Sequence, residues 1–275
     1  MKLASKFDDN ATSVRSSVPL TDDQIRRVAP SIFALEKHVS RSERYTYIPT
    51  IEILQGLRAE GFRPFMACQS RARTASKREY AKHMLRLRHA SQVDGDEANE
   101  IILLNSHDGS SAYQMLAGVF RFVCANGMVC GDVLSDIRFR HSGNVRDDVI
   151  EGACRVLEDF ELLDAQKDGM KDLPLSNNEQ LAFARAALWL RYDPSTGPAP
   201  VTEHQVLQAR RPEDAGNDLW RTLNRVQENM VGGGIRGRTA TGRNRTTRRV
   251  GAIDQNIRLN RGLWVLAEEM QKLKS

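Results

Sequence analysis

Apolar and polar residues alternate along HMLRLRH (83–89). Leu85 and Leu87 fall on one face of an extended chain, and Arg86 and Arg88 fall on the other. The alternation predicts a strand with a leucine face in the core and an arginine face toward solvent. A sheet built around this strand would hold arginines on a rigid surface.

Three neighbouring segments predict further strands: FRPFMACQSR (62–71), EIILLN (100–105) and AYQMLAGVFRFVC (112–124). The third is apolar at both parities, which is typical of a strand covered on both faces. Asn126–Gly127 predicts a two-residue hairpin turn after it, with Ala125 opposite Met128. The sequence therefore predicts a mostly antiparallel sheet.

Local signals at the ends of the elements complete the first half of the chain. Thr21 and Thr50 predict the N-caps of two helices. RYTYIPT (44–50) predicts a short strand, and DGDEAN (94–99) predicts an exposed turn between strands.

After residue 144 the apolar spacing becomes helical. Helices are predicted over five segments, 145–166, 177–192, 202–211, 215–231 and 253–273. The fold class is α+β, with a mostly antiparallel sheet and helices in the N-terminal half and a helical C-terminal part.

The chain divides into a flexible N-terminus (1–20), an α+β sheet core (21–142) and a helical part (143–275). We expect the helical part to form one compact unit with the core. This division follows the change of period rather than a linker, because the Pro/Gly-rich segment DPSTGPAP (193–200) lies inside the helical part.

The composition excludes several classes of protein. The chain is 40% hydrophobic and 27% charged, as soluble globular proteins are. It has no run of eighteen apolar residues that would predict a transmembrane helix and no apolar leader, so we expect a cytoplasmic protein with no membrane partner. The four cysteines form no CxxC pair or zinc spacing, which predicts reduced thiols, no metal and no cofactor.

The net charge of +5 is distributed unevenly. GGGIRGRTATGRNRTTRR (232–249) has no acidic residue. Its guanidinium groups can grip phosphate bidentately, and its glycines allow close approach of the backbone. We predict a basic Gly/Arg loop that is mobile until nucleic acid orders it, although a solvated loop or a protein contact remains open. The predicted nucleic-acid-binding residues in this loop are Arg236, Arg238, Arg243, Arg245, Arg248 and Arg249.

A second basic cluster lies on and beside the predicted strand 83–89. We predict that it walls a groove for nucleic acid, with Tyr45, Tyr47 and Tyr80 available to stack on unpaired bases. The alternative is that these long side chains only cover the edge of a sheet. The predicted residues of this second cluster are Arg71, Arg73, Lys77, Arg78, Lys82, Arg86 and Arg88.

No catalytic arrangement is recognisable in the sequence. NSHDGSS (105–111) offers His107 beside Asp108, but adjacent residues rarely point to one spot, so it predicts a turn stabilised by its own side chains. His83 and His89 are predicted to be structural. The remaining acidic candidates predict a solvated turn rather than a nuclease site; they are Asp94, Asp96, Glu97 and Glu100.

Three blocks of sequence carry a resemblance to a known family. They are YTYIPT…L…GFRP (45–64), YAKHMLRLR (80–88) and NSHDGSSAYQMLAGVFRFVCANGMV (105–129). Over about 40–260 the chain resembles a family of phage- and plasmid-like proteins of unassigned function. Its members are common on conjugative plasmids and in prophages, near antirestriction genes. The resemblance implies no particular activity.

A weaker likeness links the chain to the annealing proteins of homologous recombination. The matching positions are Tyr47, Ile48 and Pro49, with Leu57, Gly61 and Phe62. That likeness implies an antiparallel sheet with a basic groove, although the longer helical C-terminal part departs from the pattern.

Together these patterns predict a sequence-nonspecific nucleic-acid-binding protein rather than an enzyme. We expect a homo-oligomer of a plasmid or phage that binds and anneals single-stranded DNA. The alternative is an interaction protein that inhibits a host defence complex, of the anti-restriction or anti-CRISPR type. A metal-dependent nuclease is the third possibility.

Overall fold

The computed structural model describes residues 2–3, 11–39, 47–72, 75–90, 97–111, 113–121, 126–129, 137–139 and 145–274. The chain forms two compact units. The first runs to Phe160 and includes Gly251–Ile253, and the second comprises Glu161–Val250 and Asp254–Ser275. The division falls inside a long helix, whereas the sequence placed it at residue 143, where the period changes.

The first unit is built on a sheet of eight strands in the described part of the chain. Every pair of neighbouring strands is antiparallel. Strands β7 and β8 both pair with β6, along the edge opposite β5. The strands are β1 (Lys2–Leu3), β2 (Ala11–Ser16), β3 (Phe62–Ser70), β4 (His83–His89), β5 (Glu97–Asn105), β6 (Tyr113–Arg121), β7 (Asn126–Val129) and β8 (Ile137–Phe139).

One face of this sheet packs against helices. Helices α1 (Asp22–Val28) and α2 (Thr50–Ala59) and the first half of α3 (Val145–Lys171) contribute apolar side chains to a common core. Leu85 and Leu87 lie in that core, as the alternation predicted. The α+β class with an antiparallel sheet in the N-terminal half and a helical C-terminal part is therefore confirmed.

The hairpin predicted at Asn126–Gly127 is wrong. Both residues lie in β7, where Gly127 pairs with Phe120 and Asn126 with Arg121. Met128 and Val129, which follow them in β7, are buried against β6. Their burial extends the ladder through the residues that locally prefer a turn. The connection between β6 and β7, with Cys124 and Ala125, lies outside the described residues.

Two further local predictions are corrected. Glu97 begins β5, and Asn99 is only 2% exposed, so the predicted turn 94–99 is wrong for its last three residues. Thr21 caps α1 as predicted, but Thr50 is the first residue of α2 and does not cap it. The Thr50 side chain instead enters a buried hydrogen-bond network.

The second unit is helical. It contains the rest of α3, together with α4 (Asn177–Arg191), α5 (Glu203–Val206), α6 (Leu219–Gly232) and, from Asp254 onward, α7 (Ile253–Lys274). Helix α5 is much shorter than the predicted 202–211, because Asn229 donates hydrogen bonds to the carbonyls of Val206 and Gln208. The rings of Trp220 and Trp264 meet edge to face in the core. None of the helices in the described ranges has the length and apolar character that a membrane span needs.

Candidate nucleic-acid interface

The Gly/Arg segment folds into a two-stranded antiparallel hairpin, which we call the arginine hairpin. Its strands are β9 (Arg236–Arg238) and β10 (Asn244–Thr246). The turn is closed by hydrogen bonds from Thr239 N to Arg243 O and from Gly242 N to Thr239 O. Gly242 has φ of 77°, which a residue with a side chain rarely adopts. The predicted loop is therefore a hairpin, in which glycine and threonine supply the turn geometry.

Two arginines outside the hairpin hold its base. The guanidinium of Arg191 donates to the carbonyls of Met230 and Arg248. Arg210 donates to the Asn229 side chain at 2.6 Å and to the carbonyl of Gly233. The carbonyls of Met230 and Gly233 lie at and just after the C-terminus of α6, where a helix leaves acceptors unsatisfied, and the carbonyl of Arg248 lies just after β10. The hairpin is thus attached to α6 at its base.

The Pro/Gly-rich segment runs along the free edge of β9. Arg238 N donates to Pro200 O at 2.8 Å. A Cβ atom at Gly237 would stand 1.8 Å from that same Pro200 oxygen. Only glycine allows the two backbones to approach this closely.

Five arginines of the segment are exposed, and none of them forms an ion pair with a described carboxylate. Arg236 and Arg238 share one face of the hairpin, because residues two apart on a strand point the same way. Arg249 is half-buried, and loss of hydration lowers its pKa below the ordinary value. The hairpin is therefore a concentration of positive charge that no carboxylate of the described residues pairs with. The five exposed residues are Arg236, Arg238, Arg243, Arg245 and Arg248.

An open groove of about 510 Å³ lies between β9 and the segment 199–205. Two guanidinium groups, the Asn244 amide and the Thr202 hydroxyl can all donate hydrogen bonds there. Charge-assisted donors of this kind suit a phosphate group. The groove is lined by Ala199, Pro200, Val201, Thr202, Gln205, Arg236, Gly237, Arg238 and Asn244.

The second predicted cluster does not form a groove. Arg86 and Arg88 are 4% and 1% exposed, so their predicted exposure is wrong. Glu100, predicted to be in a solvated turn, is buried between them and pairs with both. The guanidinium of Arg88 also stands 4.3 Å from the Phe65 ring centre and 4.1 Å from that of Phe120. The strand pattern revealed two faces, but it could not reveal that both are covered.

The other members of this cluster lie near the ends of β3 and β4. Arg71, Lys77 and Arg78 are exposed, and Lys82 is half-buried. Arg73 lies outside the described residues. The structure therefore separates these side chains from the two buried arginines, which lie on the covered face of the sheet opposite Leu85 and Leu87.

His83 belongs to a buried polar network whose geometry fixes its proton. Ser31 Oγ donates to Gln69 Oε1 at 2.7 Å, so it accepts from His83 Nδ1 at 2.8 Å. Nδ1 also lies 3.1 Å from the carbonyl of Ala81, which can only accept. Thr50 Oγ1 then donates to Nε2 at 2.9 Å. His83 is therefore a neutral imidazole that carries its hydrogen on Nδ1.

His107 completes this network, with its ring centre 5.1 Å from that of His83. Burial, and then the neighbouring His107, keep the pKa of His83 well below its usual value. Both side chains are at most 1% exposed, so neither meets a ligand from solvent. The network joins β4 to the start of α2, which supports a structural role. In the described part of the chain no three His, Cys, Asp or Glu side chains gather as metal ligands would.

The loop after β5 forms the turn that the sequence predicted. Asp108 Oδ1 accepts from Ser110 N at 2.9 Å. Burial alone would raise the pKa of Asp108, but hydrogen bonds from Ser110 and Ser106 outweigh it and lower the pKa. The hydrogen-bonding capacity of the Asp108 carboxylate is thus used within its own turn.

The tyrosines predicted as stacking platforms have other contacts. The Tyr47 hydroxyl donates to the Ala34 carbonyl at 2.6 Å. The Tyr80 ring lies edge-on to His38, with 5.0 Å between ring centres. Tyr45 lies outside the described residues. The sequence analysis did not single out Trp189, which is 62% exposed on α4. The signal was present, because Trp189 lies outside the buried stripe of α4, which consists of Phe183, Ala184, Ala187 and Leu188.

The amino-acid sequence matches a known family. Residues 37–264 match the family described as a domain of unknown function, DUF932. The chain is 51% identical over 269 residues to the UPF0380 proteins YfjQ and YafZ of Escherichia coli strain K12. Each match covers 98% of this chain and 97% of the relative. No solved structure matches the chain.

Proposed function

We propose that this chain, which belongs to the DUF932 family, binds the phosphate backbone of nucleic acid through its arginine hairpin, without regard to sequence. The proposal rests on the five exposed arginines of the segment that forms the hairpin. None of them pairs with a described carboxylate. A polyanion is the ligand that satisfies several guanidinium groups at once.

Because the backbone of the hairpin is already held in place, binding of a ligand costs less conformational entropy than it would in a mobile loop. Fixing the backbone of a free segment costs about 1–2 kcal/mol per residue. Here the turn, the Pro200 contact and the Arg191 hydrogen bonds already hold the backbone. The arginines therefore present charge with little further ordering of the main chain.

We further propose single-stranded DNA as the ligand, held by a homo-oligomer that anneals strands in the cytoplasm on behalf of a plasmid or phage. The resemblance to phage- and plasmid-like proteins and the weaker likeness to annealing proteins support this finer assignment. Phosphate binding and strand pairing require no cofactor and no catalytic residue. The role is therefore that of a binding protein and not of an enzyme.

Fluorescence anisotropy with labelled single- and double-stranded DNA at two salt concentrations tests the proposal. The variant Arg236→Gln with Arg238→Gln removes the two guanidinium groups that line the groove. The matched control, Lys171→Gln with Lys272→Gln, removes the same charge from lysines that already pair with Asp168 and Glu269. We expect the arginine variant to bind at least tenfold more weakly and the control to bind nearly as the unchanged protein does.

Unchanged binding in the arginine variant would assign the hairpin to another ligand. The alternative function, inhibition of a host defence complex, would then be favoured, because an acidic protein surface can also pair with exposed arginines. Co-purification with a defined acidic defence protein, lost in the same arginine variant, would establish it.

A further inference from the structure

Trp189 stands apart from the other tryptophans of the chain. Its side chain is 62% exposed on α4, whereas Trp220 and Trp264 are 4% and 0% exposed. The buried stripe of α4 runs along its other side, through Phe183 and Ala187. The protein therefore leaves one indole in water, although tryptophans are usually largely buried.

The neighbours of Trp189 on its helix face connect it to the groove and the hairpin. Arg185, one turn earlier, donates to Glu203 at 2.9 Å, and Glu203 directly follows the groove residue Thr202. Residues three and four apart share a helix face. One end of the Trp189 face therefore borders the groove.

Tyr192 marks the other end of this face. Burial raises the pKa of Tyr192, and the positive charges of Arg191 and then Arg245 oppose that rise. The Arg191 guanidinium is 5.2 Å from the Tyr192 ring centre and also donates to the carbonyl of Arg248. Trp189 thus lies between a contact to the groove and a contact to the arginine hairpin.

We infer that Trp189 is a stacking platform for an unpaired base of the strand whose phosphates the arginine hairpin holds. This inference rests on the proposed function and deepens it, because it explains selection of single strands. An indole offers a flat apolar face to any base, so stacking is indifferent to sequence. In a duplex the base faces are already stacked, and the platform has nothing to bind.

Two substitutions and a control test the inference on the full-length protein. Trp189→Ala removes the platform, Trp189→Phe keeps an aromatic face, and Leu162→Ala removes another exposed apolar side chain of the same unit. We expect Trp189→Ala to weaken binding of a labelled oligothymidine about tenfold, within the range known for stacked bases. Binding of duplex DNA should stay the same, Trp189→Phe should recover most of the affinity, and Leu162→Ala should change neither.

Tryptophan fluorescence gives a second readout. Trp220 and Trp264 are buried, so oligothymidine should quench mainly the emission of Trp189, and the quenching should vanish in Trp189→Phe. Equal binding of single strands by the unchanged protein and Trp189→Ala would overturn the inference while leaving the hairpin proposal standing. An unchanged protein that binds no nucleic acid would overturn both.

Discussion

Arg88 and Glu100 form a buried ion pair, with 2.8 Å between Arg88 Nε and Glu100 Oε1 and each side chain only 1% exposed. Arg86 shares the same carboxylate, at 3.3 Å from its second oxygen. One carboxylate thus pairs with two guanidinium groups inside the first unit. Arg86 and Arg88, which the sequence predicted to form a binding surface, are therefore buried in the first unit.

The stability of the first unit should depend on Glu100. Glu100→Gln removes the charge that both arginines share, and leaving a buried charge without its partner costs about 3–5 kcal/mol. Urea unfolding should show this loss of free energy. The matched change Glu151→Gln breaks an exposed pair with Arg155 and should cost no more than about 1 kcal/mol. Similar losses in the two variants would contradict the buried pair.

The buried imidazole of His83 should make stability depend on pH. Its pKa is lowered in the folded protein, first by burial and then by His107, so the unfolded chain binds the proton more tightly. Stability should fall as pH drops below about 6.5, by up to about 1.4 kcal/mol per pH unit. Comparing urea unfolding of the unchanged protein and His83→Gln at pH 7.5 and pH 5.5 isolates this contribution. The difference in unfolding free energy between the unchanged protein and His83→Gln should be smaller at pH 5.5 than at pH 7.5. A difference that stays constant would show that the pKa of His83 is not lowered in the folded protein.

The backbone contact between the arginine hairpin and Pro200 should not tolerate a side chain at Gly237. In Gly237→Ala the new Cβ would meet the Pro200 oxygen at 1.8 Å, so one backbone must move. Forcing atoms into a closed contact typically costs about 1–3 kcal/mol. We expect lower thermal stability and weaker DNA binding. Gly232→Ala is the control, because its Cβ would meet nothing closer than Arg210 at 3.6 Å. Equal behaviour of the two variants would show that the close approach is unimportant.

Much of the fold could be predicted from local periodicity. The strand β4 and the helices after residue 144 are confirmed, but the alternation in β4 identified only the leucine face of the core correctly, because the arginine face is buried as well. The turn at Asn126–Gly127 could not be corrected from sequence, because burial of Met128 and Val129 depends on a neighbouring strand. Local propensity yields when distant packing is stronger.

The candidate site shows the same limit. Composition located the exposed arginines correctly, because a segment rich in glycine and arginine with few apolar residues offers little to bury. Composition could not distinguish Arg236 on the hairpin from Arg88 in the sheet, since the difference lies in the carboxylate of Glu100. Nor could it show that Pro200 runs beside Gly237, which turns a flexible-looking segment into a seated hairpin.

The dependence of DNA affinity on salt concentration shows whether the arginine hairpin binds phosphate groups. Each phosphate contact on a single strand releases counterions, so the logarithm of affinity falls with the logarithm of salt concentration by about 0.7 per contact. The variant with glutamine at positions 236, 238, 243 and 245 should show a flatter slope, by up to about 3, as four contacts are lost. We predict this flattening for oligothymidine, measured by anisotropy between low and physiological salt. An unchanged slope and affinity would contradict the account, because phosphate would then be bound elsewhere.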